Sequence, residues 1–241
     1  MEFLACVNPR YFAGIELFAA KNGVRYYLQG VYIEPHPEKG AVIVASDGHR
    51  LAAIHDPDGM CKEPIIVGEI TKGLISACKS KGSAKRMTVP GKLWIGNGGA
   101  ILTHSLASEH APDGSFDPVV LHASKIRLID GKFPDWRQVV STLTAAEDLP
   151  IPALNASYVA SVSEALRIMD PDDSAPVVRL YGNGTECAAV ARCGNLEIGE
   201  RFVALIMPVR YDNAPKSALP GWMAPKAKPR LKYRGSELVT A

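Results

Sequence analysis

Asp47, Gly48, His49 and Arg50 are consecutive in the chain, and an Asp close to a His is the pairing from which a general acid-base couple is built. Such a couple needs a further group to serve or to orient it, and no third partner is recognisable in the sequence. Metal-ligand spacing of the H-x-x-x-H kind is absent. The five cysteines (Cys6, Cys61, Cys78, Cys187, Cys193) are odd in number, scattered and never spaced C-x-x-C, so reduced, buried thiols are expected instead of zinc or redox chemistry. The glycine-rich stretch 96–99 lacks the G-K-[ST] ending of a phosphate-binding loop. No catalytic residue, metal site or cofactor is therefore expected. Gly48 reads better as the pivot of a tight turn between two strands that presents His49, Arg50 and Leu51.

The elements that must position such a turn come from a chain of 241 residues, 47% hydrophobic, which is enough to bury a core as one large domain or two small ones. No apolar run approaches the roughly 20 residues needed to span a bilayer, and residues 1–9 lack the character of a signal peptide. A cytoplasmic protein without membrane contact is expected, so the N-x-S/T matches at Asn155 and Asn183 carry little weight. Net charge is +2 but unevenly placed. From Tyr211 onward six basic residues face Asp212 and Glu237, a tail of +4, while the first 210 residues carry 21 basic and 23 acidic groups.

Three stretches repeat one order of signals: a short apolar strand, an amphipathic helix, then alternating strands broken by turn residues. In the first, residues 3–7 read as a strand. Asn8 and Pro9 open a helix to about residue 20, and strands follow at 24–34, 40–46 and 50–55. In the second, a strand at 64–67 leads to a helix over about 69–80 and strands at 86–89, 92–95, 100–105 and 122–129. Its 96–99 stretch is a hairpin turn, and its loop at 107–117 is exposed. After a polar connector at 141–148, the third has a strand at 151–154, a helix from the N-cap Asn155 to about 169, and strands at 177–181, 186–192 and 202–207. The Pro- and Gly-punctuated end reads as a flexible or surface-draped extension.

Three separated segments resemble the bacterial DNA polymerase III beta subunit, or beta sliding clamp, family. These are V-R-Y-Y-L-Q-G at 24–30 with A-S-D-G-H-R-L-A at 45–52, I-D-G-K-F-P-D-W-R-Q-V-V at 129–140, and residues 155–166 with L-I-M-P-V-R at 205–210. They cover residues 1 to about 211 in family order. The resemblance implies an α+β DNA clamp fold, with antiparallel sheets outside and helices inside. The family has three domains of two units each, so this chain is expected to lack the first domain and half of the last. Residues 1–140 would be a two-unit clamp domain resembling the middle one, 141–211 a single unit resembling the second half of the last, and 212–241 an added basic, Pro-rich tail.

A clamp must hold double-stranded DNA without arresting it, which favours screened attraction of basic side chains to phosphates over base-specific bonds. Lys21, Arg25, Lys72, Lys79, Lys81, Lys85 and Arg86 are the candidates. Asn22, Tyr26 and Tyr27 match positions where the family touches DNA, although strand alternation would leave only one of the tyrosines facing it. The resemblance further implies a peptide-binding cleft for polymerase, clamp loader and other clients. Leu28, Ser46, Gly48, His49, Arg50 and Leu51 would form one wall and Pro134, Gln138 and Val139 the connector side. Asn155, Tyr158, Leu205, Ile206, Met207, Pro208, Val209 and Arg210 would form the other. Gln138 stands where the family usually has a second arginine, which weakens the expected pull on acidic peptides.

The function implied is a non-enzymatic sliding clamp and polymerase processivity factor. Its most economical closed assembly is a homotetrameric ring, four chains of three units giving the family's twelve. The main rival is a partial clamp, an interaction module that binds or sequesters clients without encircling DNA. An enzyme using Asp47 and His49 is a third reading, for which the sequence names no substrate.

Overall fold

The computed structural model describes residues 2–83, 85, 88–105, 119–141, 149–195 and 197–210, and the backbone of two short strands beyond them. Strand β1 (Phe3–Val7) enters helix α1 (Pro9–Glu16). Asn8 caps it, its side chain accepting from the Arg10 N–H at 2.9 Å and the Tyr11 N–H at 3.4 Å, and Pro9 supplies the first helical residue. Helix α2 (Lys72–Lys79) begins later than expected because Glu69 has φ +52°, a left-handed conformation outside any helix; Thr71 is its cap instead. Asn155 caps α4 (Ala156–Met169), as expected from the sequence. Helix α3 (Trp136–Ser141), within the connector, was not expected.

Eight strands form one antiparallel sheet and five form another. The larger takes its strands in the order β10 (Arg127–Leu128), β6 (Ile65–Gly68), β2 (Val31–Pro35), β3 (Ala41–Ser46), β4 (Arg50–Asp56), β13 (Phe202–Ile206), β12 (Ala189–Cys193) and β11 (Val178–Tyr181). The smaller runs β5 (Met60–Cys61), β1, β7 (Pro90–Gly96), β8 (Gly99–His104), β9 (Val120–Lys125). The first two units thus exchange strands: β1 pairs with β7 of the second unit, and β6 pairs with β2 of the first. The third unit joins through β13, which lies antiparallel to β4 with Leu205 opposite Leu51 and Ile206 opposite Arg50.

Alternation along these strands divides the interior in two. Val31, Ile33, Ile43, Ile54, Phe202, Ala204 and Ile206 share one cluster with Phe12, Ile15, Leu74, Val162 and Leu166 of the helices. Leu28, Val42, Val44, Leu51, Phe133 and Leu205 form a second on the opposite face of the large sheet. Gly14 lets α1 and α4 approach, since a Cβ there would stand 3.1 Å from the Ala165 carbonyl oxygen and 2.9 Å from Met169 Cγ.

Several sequence expectations need correction. Residues 24–30 are not strand but a loop and a 3-10 turn at Tyr26–Leu28, closed by Leu28 N–H to Arg25 C=O and Gln29 N–H to Tyr26 C=O, each 3.0 Å. Helix α1 stops at Glu16, not near 20. Thr88 and Val89 precede β7 without joining a strand, residues 151–154 are irregular, and 122–129 divides between β9 and β10 in different sheets. Residues 107–117 and 142–148 lie outside the described residues, as does Arg86. Cys6, Cys61 and Cys78 are buried, Cys193 is half-buried and Cys187 is exposed. Residues Met1–Val209 cluster as one compact unit and Arg210–Ala241 as another. Within the latter β14 (Lys232–Arg234) pairs with β15 (Glu237–Val239), structure not expected there. Among the described residues no helix is long and apolar enough to cross a membrane.

Asp56, only 2% exposed, ties the end of β4 to the start of α1: its Oδ2 accepts the Asn8 N–H at 2.6 Å. Burial raises its pKa above the ordinary value, against the opposing influence of its N–H donors and Lys92. A raised folded-state pKa favours folding while the group is protonated, and that contribution is lost as pH climbs through the raised value. Asp56→Asn, which cannot ionise, should therefore gain in Tm relative to the native chain as pH rises from about 4, the ordinary carboxylate value, through the raised value of Asp56. A difference that stays constant or reverses across that range would remove desolvation as the dominant influence.

Candidate functional site

Asp47 and His49 do not form an acid-base couple. The Asp47 carboxylate accepts the backbone N–H groups of His49 at 2.8 Å and Arg50 at 3.0 Å, and its other oxygen pairs with Arg50 Nε at 2.9 Å. Ser46 Oγ accepts the Gly48 N–H and donates to the Arg50 carbonyl, which completes the turn at a glycine with φ +89°. The His49 ring instead stacks on Tyr158, centroids 6.3 Å apart, and its carbonyl accepts the Met207 N–H at 2.8 Å.

This turn ends at the β4–β13 seam, where a cleft of about 240 Å³ opens on the outer face of the large sheet. Predicted residues that line it are Leu28, Ser46, Gly48, Arg50, Leu51, Pro134, Val139, Leu205 and Met207. Sequence reasoning missed three more: Arg25, Phe133 and Trp136. Leu51 and Leu205 are cross-strand partners on its floor, whereas Met207, just past the end of β13, is 41% exposed. The slot is mostly apolar and holds one or two side chains better than a drug-sized molecule.

Not every predicted wall residue reaches the slot. Ile206 is fully buried and faces the helices, because residues next to each other on β13 point to opposite faces. Asn155 caps α4 through the Ser157 N–H at 3.0 Å, and the Tyr158 ring lies under the Arg50 guanidinium, 4.9 Å from its centroid. Val209 N–H is bonded to the Ala153 carbonyl, Pro208 is half-buried, and exposed Gln138 donates its backbone N–H to Asp135 Oδ1. Arg210 begins the C-terminal compact unit, Arg210–Ala241, and is exposed.

Arg50 is neutralised by Asp47, donates to the Leu17 carbonyl at 2.9 Å and lies over Phe18 and Tyr158. Arg25 is different. It is exposed, has no acidic partner among the described residues, and its guanidinium stands 3.1 Å from where a Cβ on Gly48 would be. Among the described residues, the cleft mouth therefore carries one uncompensated positive charge.

The residues expected to meet DNA are less uniform. Lys21, Lys72 and Lys79 surround a depression of about 590 Å³ beside α2, shared with Glu16. Lys21 pairs with Glu16 at 2.8 Å, and Lys81 with Asp172 at 3.4 Å. Asn22 and Lys85 are exposed. Tyr26 is 53% exposed while Tyr27 packs on the outer cluster, their rings edge to face at 5.7 Å, so one tyrosine does face solvent but through a 3-10 turn and not through strand alternation.

No family model matches the chain, and no curated protein matches it. Solved structures do. The DNA polymerase III beta chain of Streptococcus pneumoniae TIGR4 superposes with a TM-score of 0.56 at 14% identity, covering 88% of this chain and 66% of that one. The beta subunit from DNA polymerase of Streptococcus pyogenes gives 0.54 at 12%, with the same coverages. The DNA polymerase sliding clamp of Pseudomonas aeruginosa gives 0.52 at 15%, with 86% and 66% covered. The chain has the α+β fold of the DNA clamps and spans 66% of the length of those it matches.

The turn at Gly48 offers a direct check on the cleft. Its left-handed φ penalises any Cβ, while the atoms such a Cβ would meet belong to the movable end of Arg25. Gly48→Ala should therefore lose about 1–2 kcal/mol in urea unfolding, a backbone cost. Unchanged stability would show that this turn relaxes freely.

Proposed function

We propose that this protein acts as a DNA sliding clamp, a processivity factor that holds double-stranded DNA without reading its sequence and tethers replication proteins through peptides seated in the β4–β13 cleft. The observation that carries the reading is the cleft itself: a mostly apolar slot with one free arginine at its mouth, on the sheet face opposite α1, α2 and α4. Such a slot suits a short segment bearing Leu or Phe beside an acidic residue. Polymerase, clamp loader and other proteins with clamp-binding peptides are the partners in this reading. In this reading residues 1–140 supply the turn, the Leu51 half of the floor and the connector wall, and the single unit at 141–211 adds Leu205 and Met207. The role is not enzymatic, since Asp47 is committed to its turn and to Arg50.

DNA is held on the helical face, through Lys72 and Lys79 above all and with Lys21 and Lys81 as weaker contributors. Phosphates are met there by solvated charges, which lets the duplex slide. Four chains, each presenting α1, α2 and α4, make the ring in this reading, and the protein works in the cytoplasm. The ion pairs Lys21–Glu16 and Lys81–Asp172 favour one alternative, a partial clamp that binds clients without encircling DNA, because they reduce the free charge of that face.

Two measurements separate these. In a titration with a fluorescein-labelled peptide carrying Leu and Phe beside an acidic residue, Met207→Lys should weaken binding at least about tenfold, since it puts a charge into the slot without disturbing the core. Equal affinity of the variant would dismiss the cleft. For the ring, sedimentation should give the mass of four chains, and protein loaded on circular DNA should be lost on linearisation. Equal retention on both DNA forms would favour the partial clamp.

A further inference from the structure

The two sides of the cleft are built differently. Its floor, Leu51 and Leu205, belongs to strands bonded into the eight-stranded sheet. Its connector wall, Phe133, Pro134, Trp136 and Val139, belongs to no sheet. That wall is a six-residue helix and the turn before it, far too short to be stable by itself. Something must therefore fix its distance from the floor.

Strand β2 supplies the fixture. Tyr32 and Glu34, two residues apart, project to the outer face, while Val31 and Ile33 face the helices. The Tyr32 and Phe133 rings lie parallel with centroids 4.7 Å apart. Glu34 gathers three donors: Tyr32 OH to Oε2 at 3.0 Å, Trp136 indole N–H to Oε1 at 3.1 Å, and the Arg137 guanidinium to Oε1. The Arg137 guanidinium also covers the Trp136 ring, 4.4 Å from its centroid. Burial and Glu34 push the Tyr32 phenol up to about 12, so its hydroxyl stays a donor throughout the neutral range. The Glu34 side chain is only 13% exposed, and the residue does not line the slot.

We propose that Glu34 is a positioning residue for the cleft: by holding Trp136 and Arg137 it seats the α3 wall and sets the width of the slot that receives the peptide. This rests on the cleft being the peptide site. Glu34 touches no part of the peptide and acts only through the wall. Its removal leaves an indole N–H and a guanidinium without their shared acceptor, and the wall loses its register with Leu51 and Leu205.

The test uses the full chain and the same labelled peptide. Glu34→Ala should bind it about tenfold or more weakly, the loss expected for a charge-assisted bond. Glu34→Gln, whose amide oxygen still accepts the indole N–H, should recover part of that loss. The Trp136 indole N–H resonance, identified by its disappearance in Trp136→Phe, should move in Glu34→Ala, a signal that general loosening elsewhere would not produce. Arg137→Ala, which leaves β2 untouched and alters no residue lining the slot, should weaken the peptide by a smaller factor, and it decides the matter should Glu34→Ala fail to fold. Native affinity in the folded variants, with the native chain binding well, overturns the role of Glu34 and leaves the cleft standing. A native chain that does not bind the peptide overturns the cleft and this role together.

Discussion

The pairing of β4 with β13 is the constraint on which the rest of this molecule depends. Residues 50–54 and 202–206, about 150 positions apart in the chain, meet in one antiparallel register and join the third unit to the first. Closing so long a loop costs chain entropy that only extensive burial offsets. Here the offset is taken on both faces, with Phe202, Ala204 and Ile206 against the helices and Leu205 against Leu51 and Leu28. A slip of one residue would place Ile206 on the outer face and turn Leu205 toward α4, so core and cleft are fixed by the same register.

The two arginines at the cleft show how charge is divided there. Arg50 sits in a cage of Asp47, the Leu17 carbonyl and two aromatic faces, all of which it satisfies at once. Its guanidinium serves the architecture, bracing the turn against the end of α1 and the start of α4. Arg25 has been left without such a cage, on a loop whose end is tied by the Gln29 side chain bonding the Gly23 carbonyl. Its charge is thus available to something from outside, at a lower desolvation cost than a caged cation would pay.

Local features were legible in the sequence and non-local ones largely were not. Asn8 with Pro9 and Asn155 announced two helices, because a cap acts on the next three residues and needs no distant partner. The 96–99 hairpin was equally plain, with Gly98 taking φ +89°. Residues 24–28 misled, since Val24, Tyr26 and Tyr27 are of types that favour strands. The loop geometry instead places Arg25 and Leu28 three apart on one side of a 3-10 turn, so Arg25, assigned to DNA for its charge, lines the cleft. Helix α3 carried a readable signal in Asp135, whose side chain accepts the Gln138 N–H in the manner of an N-cap. Glu34 carried none: its value comes from Trp136 and Arg137, about a hundred positions away, and no local pattern could disclose it.

The exchange of β1 and β6 between the first two units also sets a timetable for synthesis. In a nascent chain Phe3, Leu4, Ala5, Cys6 and Val7 are made before either of their neighbours, β5 at Met60–Cys61 and β7, which is complete only when residue 96 has been made. At about 5–20 residues per second this apolar segment waits several seconds for its neighbours. β4 then waits longer still for β13. The ribosome-bound protein therefore passes through a period with bare strand edges, and what shields them in that interval is as much a condition for obtaining this fold as any contact within it.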